Sequence, residues 1–160
     1  MQAIVQDIAV ISLIFYGGIY LMIAINPRSQ LHNYPKAIRD AVPPKTRSET
    51  ALTLAVGLPV LLLVTVYVIG VSIMRGQADP ASYFAVFGHW LAVQVGLCAV
   101  DLLICDYLIF CTITPRFLVI PGTQGHPAYQ DKRIQTRTIP QMLIVAPVLA
   151  AVCSLTYFLQ

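Results

Sequence analysis

The stretch Pro80–Thr114, PASYFAVFGHWLAVQVGLCAVDLLICDYLIFCTIT, decides the fold. It carries no lysine or arginine and only two acids, Asp101 and Asp106. A helix needs about 20 apolar residues to cross a bilayer, and this run exceeds that. Asp79 is a good N-cap and Pro80 a good first helical residue. Thr114-Pro115 is a natural stop, since proline biases the residue before it away from helical geometry.

Three further runs have the same character. The first spans about 4–25 and ends at Asn26-Pro27. The second spans about 49–74, opened by the capping-box spacing of Thr46 and Glu49. The fourth spans about 139–159, where Thr138 and Gln141 repeat that spacing. Pro59 and Pro147 lie inside the second and fourth runs and predict kinks, which membrane helices tolerate when a neighbour or water supplies a donor. The first 27 residues lack the basic residues of a cleaved secretory signal, so the first run reads as a retained helix.

Composition agrees. Of 160 residues, 58% are hydrophobic and 11% charged, against roughly 25% charged in soluble domains. So few charges cannot cover a water-exposed surface. The expected fold is therefore an all-α, four-transmembrane-helix bundle in one domain, 1–160.

The ten basic residues set the expected orientation. Arg28, Lys36, Arg39, Lys45 and Arg47 follow the first run; Arg116, Lys132, Arg133 and Arg137 follow the third. Only Arg75 lies elsewhere. The positive-inside rule then puts the 26–48 and 115–138 loops in the cytoplasm and both termini outside, N-out/C-out, in a cell membrane. Tyr83, Phe84, Phe87 and Trp90, with His89, read as an aromatic belt at the outer interface. Both loops should be structured. Pro35 to Val42 predicts a short helix whose Ile38 and Val42 touch the membrane surface. Phe117 to Ile120 reads as a segment lying in the interface.

Chemistry is expected first at Asp101, placed near the bilayer midplane, where an ionised carboxylate costs at least about 2.5 kcal/mol. Gln94, Cys98, Asp101, Cys105 and Leu108 follow a 4-3-4-3 spacing, which makes one protein-facing stripe of an α-helix. Asp106 lies about 140° around that helix from Asp101, at about 100° per residue, so the two acids should not share a face. Asp106 would instead pair with Arg116, Arg28 or Arg137. The four cysteines form no CxxC pair and lack metal-site spacing, and neither a metal nor a cofactor is expected. His32 and His126 are candidate acid-base groups of the loops.

The clustered cations and the helix starts at the same end suggest an anion site, with Arg28, Arg116, Lys132 and Arg137 as contacts. Anionic lipid headgroups are the nearest polyanion, and nucleic acid is not expected. Three functions fit the sequence. The first is a small scaffold or accessory subunit that binds lipid, another membrane protein or a second copy of itself. The second is an enzyme acting on a phosphorylated lipid or isoprenoid at the inner leaflet. The third is an oligomeric proton-coupled transporter using Asp101.

Overall fold

The computed structural model describes residues 1–78, 82–132 and 139–159. The described residues are helical throughout their ordered elements, with no strand. Helix α1 (Gln2–Ile25) is followed by a 3-10 segment, Pro27–Asn33, and a short helix α2 (Lys36–Asp40). Helix α3 runs from Arg47 to Ala78 and α4 from Tyr83 to Val100. The chain then continues as a π-helix over Asp101–Ile113. After short turns comes α5 (Ile139–Ser154), extended by a 3-10 turn, Leu155–Leu159.

Four of these helices are long and apolar enough to cross a membrane: Gln2–Ile25, Arg47–Ala78, Tyr83–Ile113 and Ile139–Phe158. They run alternately up and down. Asp7 near the start of α1 meets Arg75 near the end of α3 and His89 in the first half of α4. Tyr83 at the start of α4 meets Tyr157 past the end of α5. Both chain ends therefore lie at one end of the bundle, and the 26–46 and 114–132 segments at the other.

Helix α1 packs against α3 and α4, and α5 packs against α4. Two glycines allow these approaches. A Cβ at Gly18 would stand 2.4 Å from Val60 Cγ2, and one at Gly96 would stand 2.2 Å from Ile8 Cδ1. Such packing matters here because lipid tails are as apolar as leucine, leaving little hydrophobic drive between helices. The outward face of α3 is correspondingly apolar and open, with Leu54, Leu58, Leu61, Leu62 and Leu63 all exposed.

The terminal half of the bundle holds the core. Ile11, Val68, Val86, Trp90, Val93 and Ala150 are buried together. Trp90 is 2% exposed, which corrects its assignment to an interfacial belt. On α4 the ring points inward, against α1, α3 and α5, while Phe84 faces out.

Capping follows the sequence where it is described. The Thr46 backbone N–H donates to Glu49 at 2.8 Å, and the Glu49 N–H donates to Thr46 Oγ1 at 3.3 Å. This reciprocal pair opens α3. Helix α4 opens instead at Ser82, whose Oγ accepts from the Ala85 N–H. The expected caps at Asp79-Pro80 and Thr138 fall outside the described residues. Helices α3 and α5 both continue through their internal prolines, Pro59 and Pro147.

The non-spanning segments pack on each other. Helix α2 forms where expected, after Pro35. Ile38 and Ile120 are fully buried in one cluster with Leu31, Tyr34, Ala128 and Tyr129, and Val42 packs against it. The Tyr34 hydroxyl donates to the Leu118 carbonyl at 2.7 Å. Burial holds that phenol neutral, well above its ordinary range. Tyr129 Oη accepts from the Ile120 N–H and meets Thr123 Oγ1 at 2.8 Å. Full burial keeps Ile38 and Ile120 from the surface contact expected of them, while Phe117 is exposed. Apolar residues from both segments cover one another, which removes them from water as effectively as lipid would.

Candidate functional site

Two polar constellations stand out, one in each half of the bundle. The first is a closed ionic cluster around Asp7, whose side chain is fully buried. Arg75 grips it with two hydrogen bonds, of 2.6 and 2.9 Å. Tyr67 donates to Oδ1 at 2.7 Å, and His89 Nε2 lies 2.7 Å from Oδ2. Both carboxylate oxygens are satisfied, so the cluster ties α1, α3 and α4 together. Arg75, set apart in the sequence as the one base outside the loops, and His89, expected in an outer belt, meet here on Asp7. A signal was present: Asp7 and Arg75 are the acid of the first run and the one base outside the loops, at matching heights on antiparallel helices.

The second constellation surrounds a cavity of about 690 Å³ in the opposite half. All four long helices line it. Helix α1 contributes Phe15, Tyr16 and Tyr20, α3 contributes Thr53 and Gly57, and α5 contributes Gln141 and Met142. The π-helix contributes Asp101, Cys105, Asp106 and Phe110. Gln30, His32, Asn33 and Tyr34 line the end nearest the non-spanning segments. His32 and Asn33 are exposed there, which marks the mouth. From Tyr83 to Asp101 the α-helix rises about 27 Å. Asp101 therefore lies past the middle of its span, toward that mouth.

The shared wall of Asp101 and Asp106 is the main correction to the sequence reading. An α-helix would separate them widely. Within a π-helix the bonding step is i to i+5, and these two acids are five apart. The step is visible at the end of the segment, where the Thr114 N–H donates to the Ile109 carbonyl at 2.9 Å. Lower turn angle per residue brings Asp106 round to Asp101. The same change carries Leu108 off the expected stripe, and it is 48% exposed.

The rest of the stripe divides. Cys105 lines the cavity, and its backbone carbonyl lies 3.5 Å from the Tyr20 hydroxyl. Tyr16 donates to the Leu97 carbonyl at 3.1 Å. Cys98 lies near Asp101 without lining the cavity, and Gln94 turns to Cys153 on α5.

Asp106 was expected to pair with a basic residue, and among the described residues it does not. Arg28 is engaged by Glu49 at 2.7 Å and by the carbonyls of Pro43 and Pro44 at 3.0 and 3.1 Å. Neither Asp101 nor Asp106 has a hydrogen-bond or ion-pair partner among the described residues. Lys45 is tied to the Ser29 carbonyl and to Thr53 Oγ1, and desolvation there lowers its affinity for a proton.

The candidate anion contacts are dispersed. Arg116 is exposed away from the cavity, and Lys132 stands over the Tyr107 ring, 5.9 Å from its centroid. Arg137 lies outside the described residues. Of the two loop histidines, His32 lines the cavity and His126 does not. His126 Nδ1 accepts from the Ala128 N–H at 3.1 Å and caps the 127–129 turn. Partial burial, with Lys45 and Arg39 nearby, holds the His32 imidazole below its ordinary value of 6.5. Among the described residues no group of three His, Cys, Asp or Glu side chains could hold a metal ion.

Comparison of the chain with protein-family models, with curated proteins and with solved structures finds no match.

Proposed function

We propose that this chain is a proton-coupled membrane carrier whose proton site is the Asp101–Asp106 pair. The observation that carries the reading is that these two carboxyls, without a partner among the described residues, line one cavity inside a membrane-spanning helix. Two like charges sharing a low-dielectric site do not both ionise, so such a pair retains a proton. That proton is released when a cation arrives or water enters, and this exchange is the elementary step of coupling. A scaffold with no ligand has no use for two acids so placed, since each costs folding free energy. An enzyme for phosphorylated lipids finds less support, because acids line the cavity and Arg28 is engaged elsewhere.

The orientation proposed with it puts the cavity mouth in the cytoplasm of the cell and both termini outside. Seven of the described basic residues support it: Arg28, Lys36, Arg39, Lys45, Arg47, Arg116 and Lys132 lie at or beside that end, against Arg75 at the other. Anionic headgroups are the partners expected around that basic rim. Four helices leave little room for a full pathway, so the carrier works as a self-associated oligomer.

Infrared spectroscopy of the purified protein tests the proton site directly. A carboxylic-acid C=O band that disappears on raising the pH, and is missing from both Asp101→Asn and Asp106→Asn, is the expected result. A spectrum unchanged by either substitution would remove the basis of the proposal.

A further inference from the structure

Resting on that proton site, we propose that the cavity takes an organic cation: a quaternary ammonium, phosphonium or protonated amine with apolar substituents.

Three observations point to this class. The first is charge. Among the described residues the carboxyls of Asp101 and Asp106 are the acids on the cavity wall, and no lysine or arginine lines it. Of the described cations, Arg28 is held by Glu49, and Lys45 by the Ser29 carbonyl and by Thr53 at the edge of the cavity. An anion entering here meets two acids and, among the described residues, no lysine or arginine on the wall. The second is the rings. Phe15, Tyr16, Tyr20 and Phe110 line the same cavity, and aromatic faces attract cations, most strongly when these have been stripped of water. A weakly hydrated organic cation loses little on entry. A hydrated metal ion loses much more and finds no three-ligand group among the described residues. The third is size. About 690 Å³ falls in the usual range for drug-sized ligands, roughly 300–1,000 Å³.

Access follows from how the helices pack. Helix α3 approaches the fourth helix chiefly at its 155–159 turn, in the terminal half. In the other half Thr53 and Gly57 of α3, and Gln141 and Met142 of α5, stand around the cavity instead of filling it. A Cβ added at Gly57 meets nothing within 4 Å. That open position provides a way to block the site without disturbing the packing.

Among the described residues the titrating groups around the acids are few, and Cys111 lies near Asp106. Helix α1 presents Tyr16 and Tyr20, the π-helix Cys105 with Cys98 nearby, and the 27–34 segment His32 and Tyr34. The cavity-lining residues of α3 and α5 do not titrate. Between pH 5 and 8 only His32 among these neighbours exchanges protons at its ordinary value, so a control at His32 isolates the acids.

The test uses the full chain in nanodiscs and tetraphenylphosphonium as the probe. Saturable binding is expected, weakening about tenfold for each unit the pH falls, the slope of competition with one proton. His32→Gln should keep that slope. Asp101→Asn and Asp106→Asn should each lose at least about tenfold in affinity, and Gly57→Leu a similar factor by filling the space. Tyr20→Phe, which keeps the ring, should bind within about twofold of the parent, whereas Tyr20→Leu should lose about fivefold, as expected for a cation–ring contact. Neutral triphenylphosphine oxide and anionic tetraphenylborate should not compete.

A quaternary ammonium could also arrive as a lipid headgroup. Nanodiscs with and without phosphatidylcholine separate these sources: weaker apparent probe affinity with phosphatidylcholine assigns the site to a headgroup, and no change assigns it to a free solute. Both outcomes keep the cation chemistry. Binding unaffected by both acid substitutions and by Gly57→Leu, or equal competition by the neutral analogue, overturns the inference. If the infrared proton signal is present in a protein that binds no probe, the proton site stands and the cation inference falls. If the probe binds at the acids but their infrared band does not titrate, the reverse holds.

Discussion

Replacing Asp7 by Asn should cost this protein about 3 kcal/mol of stability, although Asp7 lies far from the cavity. The carboxylate is fully buried and takes part in four short polar contacts, two with Arg75 and one each with Tyr67 and His89. Removing one partner of a buried pair typically costs about 3–5 kcal/mol, because the other charge is left without compensation. The Arg75 side chain is 36% exposed, so water recovers part of that loss and the lower end applies. Some 3 kcal/mol corresponds to roughly 150-fold in the ratio of folded to unfolded protein. Trp90 provides the readout. It is the single tryptophan, it is buried, and its ring contacts His89. Equilibrium unfolding in mixed micelles, followed by its fluorescence, gives the stability of the parent, Asp7→Asn, Arg75→Gln and the double variant. The two single losses should be strongly non-additive, with a coupling of at least about 1 kcal/mol. The reference is Asp101→Asn, which removes a carboxyl without a described partner and should be neutral or stabilising. A loss at Asp7 below about 1 kcal/mol, the range of exposed pairs, would refute the assignment of this cluster as a structural tie. So would equal losses at Asp7 and Asp101.

Other consequences are simpler to state. Gly18→Ala should destabilise by about 1–3 kcal/mol, because the new methyl overlaps the stiff, β-branched Val60, whereas Gly57→Ala should be neutral or gain up to about 1 kcal/mol in the same unfolding assay. Thr46→Ala should cost about 1 kcal/mol by opening the reciprocal cap with Glu49, measured by amide exchange at the start of α3. The His32 imidazole binds its proton less readily in the folded protein, so the unfolded chain holds more protons below its ordinary value of 6.5. Stability should rise as pH increases through the window below 6.5 and flatten above it, and His32→Gln should remove that contribution.

The acid pair also accounts for the choice of helix geometry in the chain's longest apolar run. A π-helix is rarer than an α-helix and usually occupies a single turn. Here it spans Asp101–Ile113 and sets the cavity wall. On the proposed function, stability and binding pull in different directions at this wall, a common trade at binding sites. The ionic cluster around Asp7 ties three helices at the far end.

The sequence by itself determined the four long helices, because apolar length is a local property and the bilayer thickness sets its scale. It determined the α3 cap as well, since Thr46 and Glu49 need only each other. It singled out Asp101, because a carboxyl in an apolar run is conspicuous wherever the run folds. Only the tertiary structure decided which acids are partnered. Asp7 and Asp101 look alike in the sequence, each an acid in a membrane-length run. Arg75, Tyr67 and His89 reach Asp7 from two other helices, and that convergence depends on how the helices pack. The meeting of Asp101 with Asp106 was hidden for a different reason. Spacing predicts a face only when the number of residues per turn is known, and the hydrogen-bond step from Asp101 onward is not the α-helical one. Leu108 left the stripe and Asp106 joined the cavity wall through that single change of step. The two carboxyls share a site because the backbone beneath them turns more slowly than an α-helix.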